Sequence, residues 1–216
     1  MALKVMIVPV TAFEQNCSLM WCDETMEGVV VDPGGDLDKV DGAVKQQGVT
    51  LVKVLCTHGH IDHAGQLAEY AERHDVPIEG PEEADTFWIE KLPDQGANYG
   101  MPGARAFVPS RWLTDDDQVT FGNITLDVYH CPGHTPGHVV FVDKAHRLAV
   151  VGDVLFQSSI GRTDFPMGDA QALISSIREK LFPLGDDITF VPGHGPTSTF
   201  GQERAMNPFV SDTVAG

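Results

Sequence analysis

Thr57-His58-Gly59-His60-Ile61-Asp62-His63 places three imidazoles and a carboxylate within seven residues, directly after the strand-like run Leu51-Val52-Lys53-Val54-Leu55-Cys56. The chain holds 9 His and 20 Asp in 216 residues. A His-x-His-x-Asp-His string arises by chance in such a composition about once in a thousand chains. The cluster therefore reads as a metal-binding segment rather than as scattered surface histidines. Imidazole and carboxylate suit zinc, manganese or iron. No single cation needs all four groups from so short a segment, and the spacing points to two cations side by side.

Size and composition bound the rest. A chain of 216 residues with 42% hydrophobic content supports one sizeable core, read here as a single domain spanning 1–216. No apolar run reaches the roughly 18 residues that a membrane span requires, and Met1-Ala2-Leu3-Lys4-Val5-Met6 lacks the features of a secretory leader, so a cytoplasmic protein is expected. Cys17, Cys22, Cys56 and Cys131 form no Cys-x-x-Cys pair and are read as buried reduced thiols. With 14 Lys plus Arg against 31 Asp plus Glu, the net charge of −17 argues against a nucleic-acid surface. It also means that an anionic substrate would need metals and local cations to overcome the field of the whole molecule.

Strands are expected over Leu3 to Val10, Cys17 to Cys22 and Gly28 to Val31, followed by a helix over Asp36 to Gln47 with apolar positions at Leu37, Val40 and Val44 and a closing Gly48. Strand Leu51 to Cys56 delivers the histidines. Helices are expected over Asp62 to His74 and Pro81 to Leu92, and a Gly- and Pro-rich surface loop or flap between Pro93 and Pro109. Strands resume at Gln118 to Phe121, Ile124 to Tyr129, Val139 to Val142 and Leu148 to Val151, with a helix over Asp169 to Leu181 and a last strand over Ile188 to Val191. Strands then helices, twice over, indicate an α+β fold of two sheets packed face to face with helices outside, a four-layer αββα sandwich.

Three further segments follow strands and are flanked by Gly or Pro: Pro132-Gly133-His134-Thr135-Pro136-Gly137-His138, Gly152-Asp153, and Pro192-Gly193-His194-Gly195-Pro196. Strand ends and tight turns of this kind aim side chains at one common point. Together with the first segment they supply seven ligands for two divalent metal ions, with zinc favoured and iron or manganese as alternatives.

The order His-x-His-x-Asp-His, His, Asp, His resembles the metallo-β-lactamase superfamily from the first strand to His194. That resemblance implies that His58, His60 and His134 hold one metal, Asp62, His63 and His194 the other, and that Asp153 bridges them. It implies that His134 is the ligand of its segment, while His138 supports the site through a hydrogen bond. A metal-bridging hydroxide would be the nucleophile, with Asp62 orienting it. His74, His130 and His146 fall outside the pattern and are expected to be structural.

Within the superfamily, the chain is most similar to the type II glyoxalases, hydroxyacylglutathione hydrolases that convert S-lactoylglutathione to D-lactate and glutathione. The resemblance implies a thioester rather than a lactam substrate, because Asp153 stands where β-lactamases of this fold place a cysteine. Only 22 residues follow His194, so a helical C-terminal glutathione-binding extension is not expected and the likeness is to the shorter, single-domain forms. In Gly161-Arg162-Thr163-Asp164-Phe165, Arg162 takes the place of a glutathione-contacting lysine of the larger enzymes, and Asp164 that of their tyrosine. Arg162 is thus the expected substrate contact. The alternatives are a persulfide dioxygenase using one iron on His58, His134 and Asp153, or a superfamily hydrolase acting on a lactone or another ester.

Overall fold

The computed structural model describes residues 2–213. Its first half opens with a meander, β1 (Leu3–Val10), β2 (Gln15–Cys22) and β3 (Glu27–Val31). The helix α1 (Leu37–Gln47) follows and crosses to β4 (Thr50–Leu55), which pairs parallel to β3. A two-residue β5 (Ile78–Glu79) completes a sheet of order β1-β2-β3-β4-β5. The second half forms β6 (Gln118–Phe121), β7 (Ile124–His130), β8 (Val139–Asp143), β9 (Leu148–Gly152), the small hairpin β10 (Leu155–Phe156) and β11 (Ser159–Ile160), then β12 (Thr189–Pro192) and β13 (Ser198–Thr199). Its six-stranded sheet runs β13-β12-β9-β8-β7-β6, antiparallel except where β12 lies parallel to β9.

Period-two alternation explains how the sheets stack. Val29 and Val31 of β3 face inward, against Leu126 and Val128 of β7 and Phe141 of β8, in a core between the two sheets. Val30 and Val54 point the other way, under Val40 and Val44 of α1 and the helix α3 (Leu67–His74). On the far side, Val140, Val142 and Ala149 pack under Leu173 of α6 (Ala170–Ser175) and Ile177 of the π-helical stretch Ser176–Leu181 that continues it. Three apolar layers separate four layers of structure, the αββα arrangement expected. Each fully buried Val or Leu contributes about 1.5–3 kcal/mol.

The helices depart from expectation at several places. The expected helix over Asp62 to His74 is two, α2 (Ile61–Ala64) and α3, because Gly65 packs where a Cβ would lie 3.0 Å from the Gly34 carbonyl oxygen and the chain turns there. The expected Pro81 to Leu92 helix is a 3-10 turn (Glu83–Asp85) and α4 (Thr86–Glu90). The following α5 (Leu92–Tyr99) occupies ground expected to be loop, since Pro93 sits in its first turn, where a missing N–H is harmless, and Gly100 closes it in the left-handed conformation. The helix α7 (Phe200–Met206), capped by Thr199, follows β13. Among the described residues, no helix is long and apolar enough to cross a membrane.

Candidate metal centre

The ends of β4, β9 and β12 and the β7–β8 connection meet at one edge of the sandwich, and bring together all seven residues expected to be ligands. His58, His60 and His134 form one cluster of donor atoms, and Asp62, His63 and His194 another. Asp153 faces both: its Oδ1 lies 3.3 Å from His63 Nε2, and its Oδ2 3.6 Å from His134 Nε2 and 3.8 Å from His194 Nε2. Asp62 Oδ2 stands 3.0 Å from His194 Nε2.

Four of the histidines are tethered through Nδ1. His58 Nδ1 donates to Thr57 Oγ1 at 3.0 Å, and that hydroxyl donates in turn to Asp32. His63 Nδ1 donates to Asp32 at 2.8 Å, His134 Nδ1 to the Arg162 carbonyl at 2.8 Å, and His194 Nδ1 to the Phe13 carbonyl at 3.1 Å. A neutral imidazole with its proton on Nδ1 keeps a lone pair on Nε2, so each tether sets both the tautomer and the aim of the ring. His60 is turned around, with Nδ1 2.9 Å from His134 Nε2. The buried Nε2 atoms of His58 and His60 have no hydrogen-bond partner, and His63 Nε2 faces only the carboxylates of Asp153 and Asp62. Buried lone pairs that converge without donors are costly unless a cation takes them, so this donor set fits two divalent ions.

Burial pushes His60 down to about 3 and lowers His58 and His134, which leaves the first cluster neutral and ready to ligate. His63 differs. Its burial would lower it, but the carboxylates of Asp153 and Asp62 hold it well above the usual histidine range. Asp153 shows the converse, its burial outweighed by His63, His134 and His194, which hold it well below the usual carboxylate range.

The supporting residues explain the local sequence. Asp32 ends β3 in a left-handed conformation (φ 54°) that turns its carboxylate toward Thr57 and His63. Gly193 is required by proximity: a Cβ there would lie 2.0 Å from Asp153 Oδ1. Asn16 at the start of β2 donates through Nδ2 to the carbonyls of Pro192 and Gly195, and so ties the first sheet to the His194 turn. Asp85, fully buried in the 3-10 turn, accepts from Gly59 N at 2.7 Å, Thr135 Oγ1 at 2.9 Å and Gly137 N at 2.6 Å. It fastens the His58–His60 segment to the His134 segment. Neither Asp32 nor Asp85 is marked by a motif; the one signal available was Asp32 in Asp32-Pro33-Gly34-Gly35, a strand-ending turn beside the histidine strand.

His138 is stacked on His58 with ring centroids 4.5 Å apart, and its Nε2 accepts from Asp153 N at 3.1 Å. His74, His130 and His146 are engaged elsewhere, with Asp41, the Pro136 carbonyl and Asp143. All four cysteines are free and buried, and burial pushes Cys131 up to about 12, so it offers no thiolate near neutrality.

A cavity of about 860 Å³ opens over the cluster. Arg162 lies on its wall, but its guanidinium is engaged: Nε and Nη2 donate to the two carboxylate oxygens of Asp164 at 2.9 and 2.8 Å, and the group lies 4.4 Å over the Phe165 ring. The two side chains are about two-thirds exposed, where an ion pair contributes about 0–1 kcal/mol and exchanges partners readily.

The metallo-beta-lactamase superfamily model matches residues 10–199. Hydroxyacylglutathione hydrolase GloC of Haemophilus influenzae is 44% identical over 210 residues, covering 97% of this chain and 99% of that protein. The crystal structure of BLEG-1 B3 metallo-beta-lactamase superposes with a TM-score of 0.88 at 33% identity, covering 96% of this chain and 99% of that one. That of TTHA1623 in a di-iron-bound form gives 0.85 at 32% identity, covering 94% and 99%.

Proposed function

The chain belongs to the metallo-beta-lactamase superfamily, and on that premise we propose that it is a binuclear metal-dependent hydrolase of glutathione thioesters, taking S-lactoylglutathione and water to D-lactate and glutathione. The observation that carries this reading is the Asp153 carboxylate, set between two complete ligand clusters with an oxygen 3.3 Å from His63 Nε2 and the other within 3.8 Å of both His134 and His194. His58, His60 and His134 would hold one cation, and Asp62, His63 and His194 the other. Zinc suits these donors, as do iron and manganese; TTHA1623, similar over nearly its whole length, is described with two irons.

When bound, such a pair supplies hydroxide near pH 7 and polarises a carbonyl. The chain's own residues do the rest. Asp153 offsets the charge of two dications while its neighbours keep it ionised. The Nδ1 tethers hold the rings aimed, so little reorganisation is needed on loading. Asp62 orients the attacking water through the carboxylate oxygen that His194 does not engage. Attack on the thioester carbonyl forms a C–O bond, cleavage breaks the C–S bond, and the thiolate leaves with little acid help, given a thiol pKa of about 8.5. Arg162, the one Arg or Lys lining the cavity among the described residues, takes a glutathione carboxylate by exchanging Asp164 for it. The activity is proposed to reside in one domain spanning 1–216.

The persulfide dioxygenase alternative needs only His58, His134 and Asp153, and leaves the Asp62–His63–His194 cluster without a task. The expectation against lactams rested on Asp153 in place of a cysteine; BLEG-1, called a B3 metallo-beta-lactamase and 33% identical, takes the force from that argument. The test is a panel of S-lactoylglutathione, a lactam, a lactone and glutathione persulfide. The thioester should exceed the others by at least an order of magnitude in kcat/KM, and dominance by any other substrate would replace this reading.

A further inference from the structure

The cavity over the two clusters is lined by aromatic side chains from several parts of the chain. Beside His60 and His134 stands Phe165, its ring 5.0 Å from that of His60 and carrying the Arg162 guanidinium. Beside His194 stands Phe156, with ring centroids 6.4 Å apart, and Phe13 meets Tyr99 edge-on at 5.8 Å. Cavity-lining charge among the described residues is confined to Asp62, Asp153, Arg162 and the histidines. The lining supplied by Phe13, Tyr99 and Phe156 is therefore uncharged and aromatic.

Phe13 and Tyr99 are 42% and 56% exposed, although their rings touch each other and line the same cavity as the ligand clusters. Contiguous exposed aromatic surface at a site is what an apolar ligand group covers. Phe13 is also registered to the centre, because its carbonyl accepts the Nδ1 proton of His194. A lactoyl group, with one methyl and one hydroxyl, covers little of such a lining. The tripeptide of glutathione, rich in carboxylate and amide, matches it no better and is better served on the Arg162 side.

Resting on the thioester reading, we infer that the acyl group this site is built for is apolar and larger than lactoyl, an alkyl or aryl group packed on Phe13, Tyr99 and Phe156 while the peptide end lies toward Arg162. A cavity of about 860 Å³ has room for both ends at once. Each additional buried methylene then raises transition-state affinity roughly three- to fourfold.

The experiment holds the thiol constant and varies the acyl group, comparing lactoyl-, butanoyl-, hexanoyl- and phenylacetylglutathione on the metal-loaded enzyme. The inference expects kcat/KM to rise at least tenfold from lactoyl to hexanoyl or phenylacetyl. Calorimetry with S-methyl- and S-hexylglutathione, thioethers that have no carbonyl to cleave, should show the same order in Kd without turnover. Tyr99→Ala should reduce the hexanoyl-to-lactoyl ratio several-fold; Phe156→Leu, which keeps an apolar side chain in place, guards against a folding failure and should reduce it less. Hydrolysis of every thioester with a flat series, or with lactoyl the best, overturns the inference and leaves the thioester reading standing. Absence of hydrolysis across the series overturns both.

Discussion

Asp32 Oδ2 lies 2.8 Å from His63 Nδ1 and 2.6 Å from the Thr57 hydroxyl, which in turn meets His58 Nδ1. One carboxylate thus orients a histidine of each ligand cluster, directly in one case and through a hydroxyl in the other. Asp32→Asn removes the charge and one acceptor while preserving shape. Metal affinity should fall 10–100-fold, the range for loss of such an outer partner. Competition with a chromophoric chelator measures it, and unchanged affinity for both ions would show that the rings do not depend on Asp32.

Asp85 joins the two histidine segments by accepting from Gly59, Thr135 and Gly137. Asp85→Ala leaves three buried donors unsatisfied, each costing about 1–3 kcal/mol, so a loss of at least about 3 kcal/mol is expected in urea unfolding of the metal-free protein. A loss below about 1 kcal/mol would mean that water or relaxation replaces the clamp.

Metal loading should depend on pH in two stages. Burial keeps His58 and His134 below, and His60 at about 3, so the first cluster needs no deprotonation near neutrality. In the second cluster His63 and His194 are held above the usual histidine value by Asp153 and Asp62 despite burial. Protons there compete with the cation already above the usual histidine value of about 6.5, and each further fall in pH favours the protonated, metal-free form. Dialysis at pH 5 should therefore release the ion on Asp62, His63 and His194 first. Simultaneous loss of both ions down the pH series would contradict this order.

Arg162 and Asp164 give a prediction of opposite signs. If Arg162 takes a glutathione carboxylate, Arg162→Ala raises KM for S-lactoylglutathione several-fold, with little effect on a neutral lactoyl thioester. Asp164→Asn removes the competing carboxylate and should lower KM. Steady-state kinetics on both substrates decides, and a rise in KM for Asp164→Asn would make the pair a structural unit.

The layers and the clustering of the seven candidate ligands were legible in the sequence for a common reason: both rest on local pattern. Val29 to Val31 and Val139 to Val142 read as strands because period-two burial leaves apolar runs, and His58 to His63 reads as a site because ligand chemistry demands particular residue types at close spacing. The supports were not legible. Asp32 and Asp85 act through contacts 25 and 26 residues away or more, and a lone aspartate carries no sign of what it faces. The same holds for the aromatic lining, where Phe13 comes from the β1–β2 turn, Tyr99 from α5 and Phe156 from β10. Helix α5 was missed because Gly96 and Pro93 suggested a loop, although position in the first turn makes Pro harmless. Arg162, the expected substrate contact, is paired with Asp164, two residues along.

A hydrolase that works through two cations is tested by following S-lactoylglutathione turnover as metal-free protein is titrated with zinc, iron or manganese. Binding should saturate at two ions per chain, and thioester turnover should rise mainly as the second ion enters. Full activity at one ion per chain, with oxygen uptake on glutathione persulfide and no thioester cleavage, would contradict this reading.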